Sequence, residues 1–189
     1  MWQLVINTAH RHLSIGLLKD GVYVDGVHEV AFKSQSEVIL PRLKQCLSKY
    51  HLNPHDLSEV YVGLGPGSYT GVRIGLSVVK VLALVCSFEV FTFNSYDFML
   101  AQHEGTMIMD ARSSRAYVGI KQDHQWIFQG IMTLDELKSS MIPPYVGDTD
   151  LVNQQDSSLD FKALCEHVCL VSERVSDVHV LEPLYIKSL

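Results

Sequence analysis

The sequence has no long apolar run. Its longest, residues 78–86, is interrupted by Lys80 and falls short of the roughly 20 residues that span a bilayer as a helix, so membrane insertion is not expected. Cations are scarce: Lys and Arg total 15 against 21 Asp and Glu, a formal net charge of -6. A general grip on nucleic acid needs clustered cations that release counterions, so any contact with RNA is expected to be indirect. There are only four cysteines, Cys46, Cys86, Cys165 and Cys169, scattered through apolar surroundings, which fits packed, reduced thiols better than a disulfide framework. Cys165-Glu166-His167-Val168-Cys169 groups two thiols and an imidazole, but no second ligand pair stands at zinc-site spacing, so no metal is expected here. The N-terminus lacks the basic region and small-residue cleavage site of a secretory leader. It reads as a first strand, and the expected compartment is the cytoplasm.

Signatures of autonomous chemistry are missing as well. The glycine-dense stretch at residues 63–75 contains no Lys, and Pro66 removes one N–H donor, so it is not a Walker loop. Ser68 stands where a dinucleotide fingerprint would need its third glycine. No GxSxG elbow is present, and the nine histidines form no spaced ligand set and read as mostly solvated.

What is present is a chain of 189 residues, 47% hydrophobic, long enough for one domain or two small ones. Residues 4–8, 12–18 and 22–32 alternate as strands around the corner His10-Arg11 and the hairpin signal Asp20-Gly21. Ser34-Gln35-Ser36-Glu37 fits a capping box, and Ile39, Leu43, Cys46, Leu47 and Tyr50 recur at helical spacing. Pro41 inside that run predicts a kink or a later start. Residues 60–62 form a buried strand, a second helix runs from Tyr69 or Thr70 to about Ser87, and residues 89–93 and 96–102 give a strand and a short helix. From Met107 the meander begins again, with strands at 107–110, 115–122 and 125–131 and a helix at 134–139. Residues 148–158 read as a surface loop, and residues 161–170 as a helix. The expected fold class is α/β, two copies of a βββαβα unit, with residues 1–103 as a first lobe and 104–189 as a smaller, degenerate second one.

The second helix is apolar almost all round, with Arg73, Ser77, Lys80, Leu84 and Ser87 as its mostly polar stripe, so it should be covered on two sides. Gly71 and Gly75 each lower its intrinsic stability by about 1 kcal/mol relative to Ala while flattening one face. Packing on its own sheet accounts for one glycine; contact with another subunit is the sharper reading of the pair.

Gly65-Pro-Gly-Ser-Tyr-Thr-Gly-Val-Arg-Ile-Gly75 resembles the signature of the TsaB family, also called YeaZ. Leu4-Val-Ile-Asn7-Thr8, Ser36-Glu37-Val-Ile-Leu40-Pro41, and Met109-Asp110-Ala111-Arg112 with Tyr117 are similar to that family in the same order; the resemblance covers about residues 1–120 and is weak beyond them apart from Glu182-Pro183-Leu184-Tyr185. The resemblance implies an actin-like (ASKHA, ribonuclease H-like) two-lobed fold with the second lobe abbreviated, no independent catalysis, and a heterodimer with TsaD. TsaE would engage that dimer, ATP and metal would belong to the partner subunits, and the chain alone would form a homodimer. The implied partner face comprises Ile39 and Leu43 on the first helix and Gly71, Val72, Gly75, Leu76 and Val79 on the second. Gly65, Pro66, Gly67, Ser68, Thr70 and Arg73 would be a structural loop, and Asn7, Thr8, Asp110 and Arg112 a degenerate phosphate site. Members commonly carry Asp at the position of Asn7, and a neutral amide there removes a charge that Mg²⁺ chemistry would use. Taken by themselves, Asp110 and Arg112 read as a turn-fixing ion pair or hydrogen-bonded loop ahead of a catalytic acid and phosphate clamp. The competing reading is an enzyme acting alone, a small actin-like ATPase or a peptidase.

Overall fold

Apolar residues alternate through the first third of the chain, and the computed structural model, which describes residues 1–157 and 160–186, shows what each set faces. β1 (Trp2–Asn7), β2 (His12–Lys19) and β3 (Val22–Val30) pair antiparallel. The β2–β3 turn places Asp20 and Gly21 at φ 53° and 80°, a left-handed backbone that glycine adopts freely and aspartate tolerates. Helix α1 (Gln35–Ser48), β4 (Leu57–Gly63), α2 (Tyr69–Val85), β5 (Glu89–Phe93) and α3 (Ser95–Leu100) follow. β4 pairs parallel to β1, and β5 parallel to β4. With β10 (Glu173–Arg174) the sheet order is β10-β5-β4-β1-β2-β3.

Both faces of this sheet are covered, so its central strands read as nearly continuous apolar runs. Leu4 and Ile6 of β1 face a core shared with α1 and α2. Val5, between them, faces a second core with Tyr61, α3 and α5 (Phe161–Val171). The second sheet comprises β6 (Gly105–Arg112), β7 (Arg115–Gln122), β8 (Gln125–Thr133) and β9 (Tyr145–Gly147), in the order β8-β7-β6-β9. Met107 and Met109 of β6 join the second core, while Ile108 packs with Val118 and with Leu137 of α4 (Leu134–Ser140) in a third. Alternation along β6 thus welds the second sheet to the face of the first that lies opposite α1 and α2.

Four expectations are corrected. Ser34 makes no side-chain cap bond; its φ of -115° and ψ of 3° depart from the extended backbone a capping side chain needs, and Gln35 instead donates from Nε2 to the carbonyls of His10 and His12 at 2.8 and 3.0 Å. α1 starts at Gln35 and runs through Pro41, so there is no later start. Residues 149–152 form a 3-10 helix with Thr149 and Val152 buried, part of a stretch expected to be surface loop. Residues 161–186 do not belong with the second lobe: α5 packs on the first sheet, β10 pairs with β5, and Val178 and Leu181 pack on the core beneath α2. Two-residue β10 carries too little pattern to have signalled this return.

Candidate functional site

The glycine-dense turn between β4 and α2 is held from within. Gly65 lies at φ +94°, and a Cβ on Gly67 would fall 2.3 Å from the carbonyl oxygen of Ala9. Only glycine fits either position. The Ser68 N–H donates to that Ala9 oxygen at 2.7 Å, Leu64 N–H to Phe93 O at 2.9 Å, and Ser68 Oγ accepts from Gly71 N–H at 3.1 Å as the N-cap of α2. Three N–H donors of the turn and helix start, those of Leu64, Ser68 and Gly71, are thus engaged by the chain itself. Thr70 and Arg73 lie exposed on the first turns of α2. Arg73 stacks over Tyr69 at 4.1 Å and donates to Tyr185 Oη at 2.9 Å.

The four residues of the expected degenerate phosphate site are not brought together. Asn7 is buried with Oδ1 accepting from Ala9 N–H at 3.0 Å, and Thr8 lies under α2, its Oγ1 accepting from Gly75 N–H at 3.2 Å. Asp110 and Arg112 line a cleft of about 740 Å³ between the lobes, together with Arg11, Ser68 and Tyr117. There Asp110 accepts from Arg112 N–H at 2.7 Å and pairs with its guanidinium at 3.1 Å, so the carboxylate and cation satisfy each other in the turn. Among the described residues no group of three or more His, Cys, Asp or Glu is arranged to hold a metal ion, and no helix is long and apolar enough to cross a membrane.

The expected contact residues of the helical wall require correction. Ile39, Leu43, Val72, Leu76 and Val79 are at most 4% exposed and belong to the core under the helices. Gly71 and Gly75 face the same way: an added Cβ would meet Thr8 O at 2.1 Å and Thr8 Oγ1 at 2.6 Å respectively. Both glycines serve close packing of α2 on the end of β1. What the helices turn outward is a different set: Leu40, Tyr69, Val81, Leu84 and Val85, each more than half exposed. A groove of about 470 Å³ runs between α1 and α2 over Leu40, Ile74 and Val78. Residues 178–186 cover one flank of α2, where Lys80 Nζ donates to the carbonyls of His179 and Leu181 and Leu184 N–H donates to Leu64 O. Among the described residues nothing covers the groove itself.

Sequence reasoning missed a cluster at the lobe junction. His10, His12 and His28 are not isolated from one another: His10 Nδ1 is 3.0 Å from His12 Nδ1, and the His12 ring stacks at 4.7 Å on that of His28 at the exposed edge. His10 Nε2 lies 2.9 Å from Asp148 Oδ1, and the other oxygen of Asp148 accepts from Asp110 N–H at 2.9 Å. Burial opposes the charge on Asp148, but the His10 and Asp110 hydrogen bonds and the Arg11 guanidinium outweigh it and hold the carboxyl below its ordinary range. Asp148→Ala leaves His10 and Asp110 N–H without this acceptor, and the expected cost is about 2–3 kcal/mol, read as a fall in the urea midpoint. Arg11→Ala, removing a half-exposed partner at 3.4 Å, should cost less than about 1 kcal/mol in the same assay.

Burial first, then the neighbouring His28, His10 and Arg11, hold the imidazole of His12 down at about 4 against the pull of Asp148. His28 is lowered too, by burial and by His10. A base depressed in the folded state leaves the unfolded chain binding more protons between about pH 6.5 and about pH 4, so stability falls as pH drops through that window. After allowance for partial exposure, the expected loss between about pH 7 and about pH 5 is about 1–2 kcal/mol. His12→Gln should remove most of the slope, measured by urea unfolding at both pH values.

Residues 23–137 match the family model of TsaD, described as tRNA N6-adenosine threonylcarbamoyltransferase. The Bacillus subtilis tRNA threonylcarbamoyladenosine biosynthesis protein TsaB is 32% identical over 124 residues, 63% of this chain and 54% of that protein. The chain belongs to the TsaB/YeaZ family. Its match thus spans about half the length of that TsaB relative. An uncharacterized protein of Mycoplasma genitalium is 25% identical over 193 residues, covering 98% of this chain and 95% of that one. The crystal structure of a Pseudomonas aeruginosa protein with similarity to the peptidase YeaZ superposes with a TM-score of 0.74 at 20% identity, covering 98% and 99% of the two chains. At that identity the likeness to YeaZ is one of fold, an α/β arrangement of mixed sheets and helices.

Proposed function

We propose that this TsaB/YeaZ-family chain is a non-catalytic, activating subunit that pairs with a TsaD-type protein for threonylcarbamoyl transfer to the adenosine next to the anticodon of tRNA. The observation that carries the reading is the apolar outer face of α1 and α2, where Leu40 borders the groove with Ile74 and Val78, and Val81, Leu84 and Val85 are exposed further along α2. A contiguous apolar patch on a well-packed domain marks an interaction site. The engagement of the glycine turn by its own chain, the neutral amide at Asn7 and the Asp110–Arg112 pair support a subunit that leaves ATP and metal to its partners. The smaller second lobe, built on a four-stranded sheet, fits an accessory role. Without its partner the chain covers the same face by homodimerisation. A TsaE-type ATPase engages the heterodimer, and with a net charge of -6 the chain meets tRNA only indirectly.

The deciding experiment reconstitutes tRNA modification from purified components with and without this chain. Modification is expected to require it, and the chain alone is expected to turn over neither nucleotide nor peptide. Full modification in its absence would end the activating role, and ATP or peptide hydrolysis lost in an Arg73→Ala, Asp110→Ala double variant would favour an enzyme acting alone.

A further inference from the structure

Of the described residues that line the groove between α1 and α2, Arg73 alone is charged; Leu40, Ile74 and Val78 supply apolar surface, and Thr70 and Ser77 supply hydroxyls. The chain as a whole has more acids than bases, 21 against 15, and on the neighbouring α1 Arg42 and Lys49 pair with Glu29 and Asp25. Among the described residues Arg73 enters no ion pair.

Its guanidinium is nevertheless held in place. It lies 4.1 Å over the Tyr69 ring, and Nε donates to Tyr185 Oη at 2.9 Å. Tyr185 in turn stacks on Tyr69 with ring centroids 5.3 Å apart. The segment carrying it is tied down by Leu184 N–H, which donates to Leu64 O at 2.7 Å. Because Tyr185 takes Nε, the edge formed by the two Nη groups is left for a bidentate acceptor, and the group that fits that edge is a carboxylate. An arginine already ordered in this way loses less side-chain freedom on association.

A second copy of this chain brings no such acceptor. Two of these grooves laid against one another match apolar surface to apolar surface, but they add two guanidinium groups and no carboxylate from either lining. Cations left without a counter-ion in a drying interface oppose that pairing, and a partner supplying an acid removes the opposition.

We propose that Arg73 selects the occupant of this groove, pairing with a carboxylate set in the apolar surface of a TsaD-type protein and disfavouring a second copy of this chain, with Tyr185 as the residue that positions it. The inference rests on the reading of this face as the site of heterodimerisation, and adds the chemistry by which one occupant is preferred over the other.

The test uses the full chain with two substitutions at side chains that are exposed or nearly half exposed. Arg73→Gln removes the charge and keeps a polar side chain; Tyr185→Phe keeps the ring on Tyr69 and removes the acceptor. Calorimetry with the purified partner at low and high salt gives the heterodimer affinity, sedimentation equilibrium gives the homodimer affinity, and the urea midpoint confirms that each variant is folded. Arg73→Gln is expected to weaken the heterodimer at least about ten-fold and to flatten its salt dependence, while the homodimer is unchanged or up to about ten-fold tighter. Tyr185→Phe should weaken the heterodimer about three-fold in the parent and not at all when added to Arg73→Gln, a coupling that a tyrosine acting only on the fold would not produce. An Arg73→Gln chain that keeps the parent's heterodimer affinity and salt dependence, or that loses both dimers equally, would overturn the selection. A Tyr185→Phe effect that persists in full without Arg73 would overturn the positioning. Failure of the unaltered chain to bind the partner would instead remove the underlying reading and this proposal with it.

Discussion

Aspartate at both Leu40 and Leu84 is expected to weaken capture of a TsaD-type partner by at least about 100-fold while leaving the urea midpoint within about 0.5 kcal/mol of the parent. The two side chains are 55% and 69% exposed, so the fold makes little use of them and an added charge meets water in the free chain. In a complex the same positions would lie in the dry centre of the interface, where an unpaired carboxylate costs several kcal/mol. Titration calorimetry with the purified partner gives the affinity, and sedimentation of the chain alone gives the homodimer expected from the same face. A double variant that binds as tightly as the parent would remove α1 and α2 from the interface. Variants at Gly75 or Val72 cannot serve this purpose, because both residues are buried beneath the helix and their loss of binding would report unfolding.

Gly71→Ala is expected to lower stability by about 3 kcal/mol, the opposite sign from its effect on an isolated helix, where alanine gains about 1 kcal/mol over glycine. The added Cβ would lie 2.1 Å from the carbonyl oxygen of Thr8, and a backbone atom at the end of a central strand has little freedom to withdraw. Gly75→Ala meets Thr8 Oγ1 at 2.6 Å, the tip of a side chain, so its expected cost is smaller, about 1–2 kcal/mol. Urea unfolding of both variants tests the ranking. A stabilised Gly71→Ala would mean that α2 does not sit on β1 as described.

Local pattern made the strands and helices legible. Leu4, Ile6 and Val5 alternate between two cores, and the break at Asp20-Gly21 marks the hairpin. Orientation was not legible for α2. A helix apolar on nearly every side offers no local sign of which stripe meets its own sheet, and glycines four residues apart flatten a face equally well for a strand or for another subunit. The coordinates decide between these by the position of Thr8. The histidine cluster was hidden for another reason. His10 and His12 stand two residues apart, but the carboxylate that organises them, Asp148, lies 138 residues beyond His10, and no periodicity links groups so far apart.

Because residues 161–186 rejoin the first sheet, the second sheet is an insertion held by two strands of chain, rather than a domain strung after the first. An insertion of this kind can shed or gain length without altering the backbone of its host. It is also anchored on the side of the host sheet that α1 and α2 do not occupy. Relatives differing widely in overall length could thus present much the same pair of helices, with the variation confined to the opposite side.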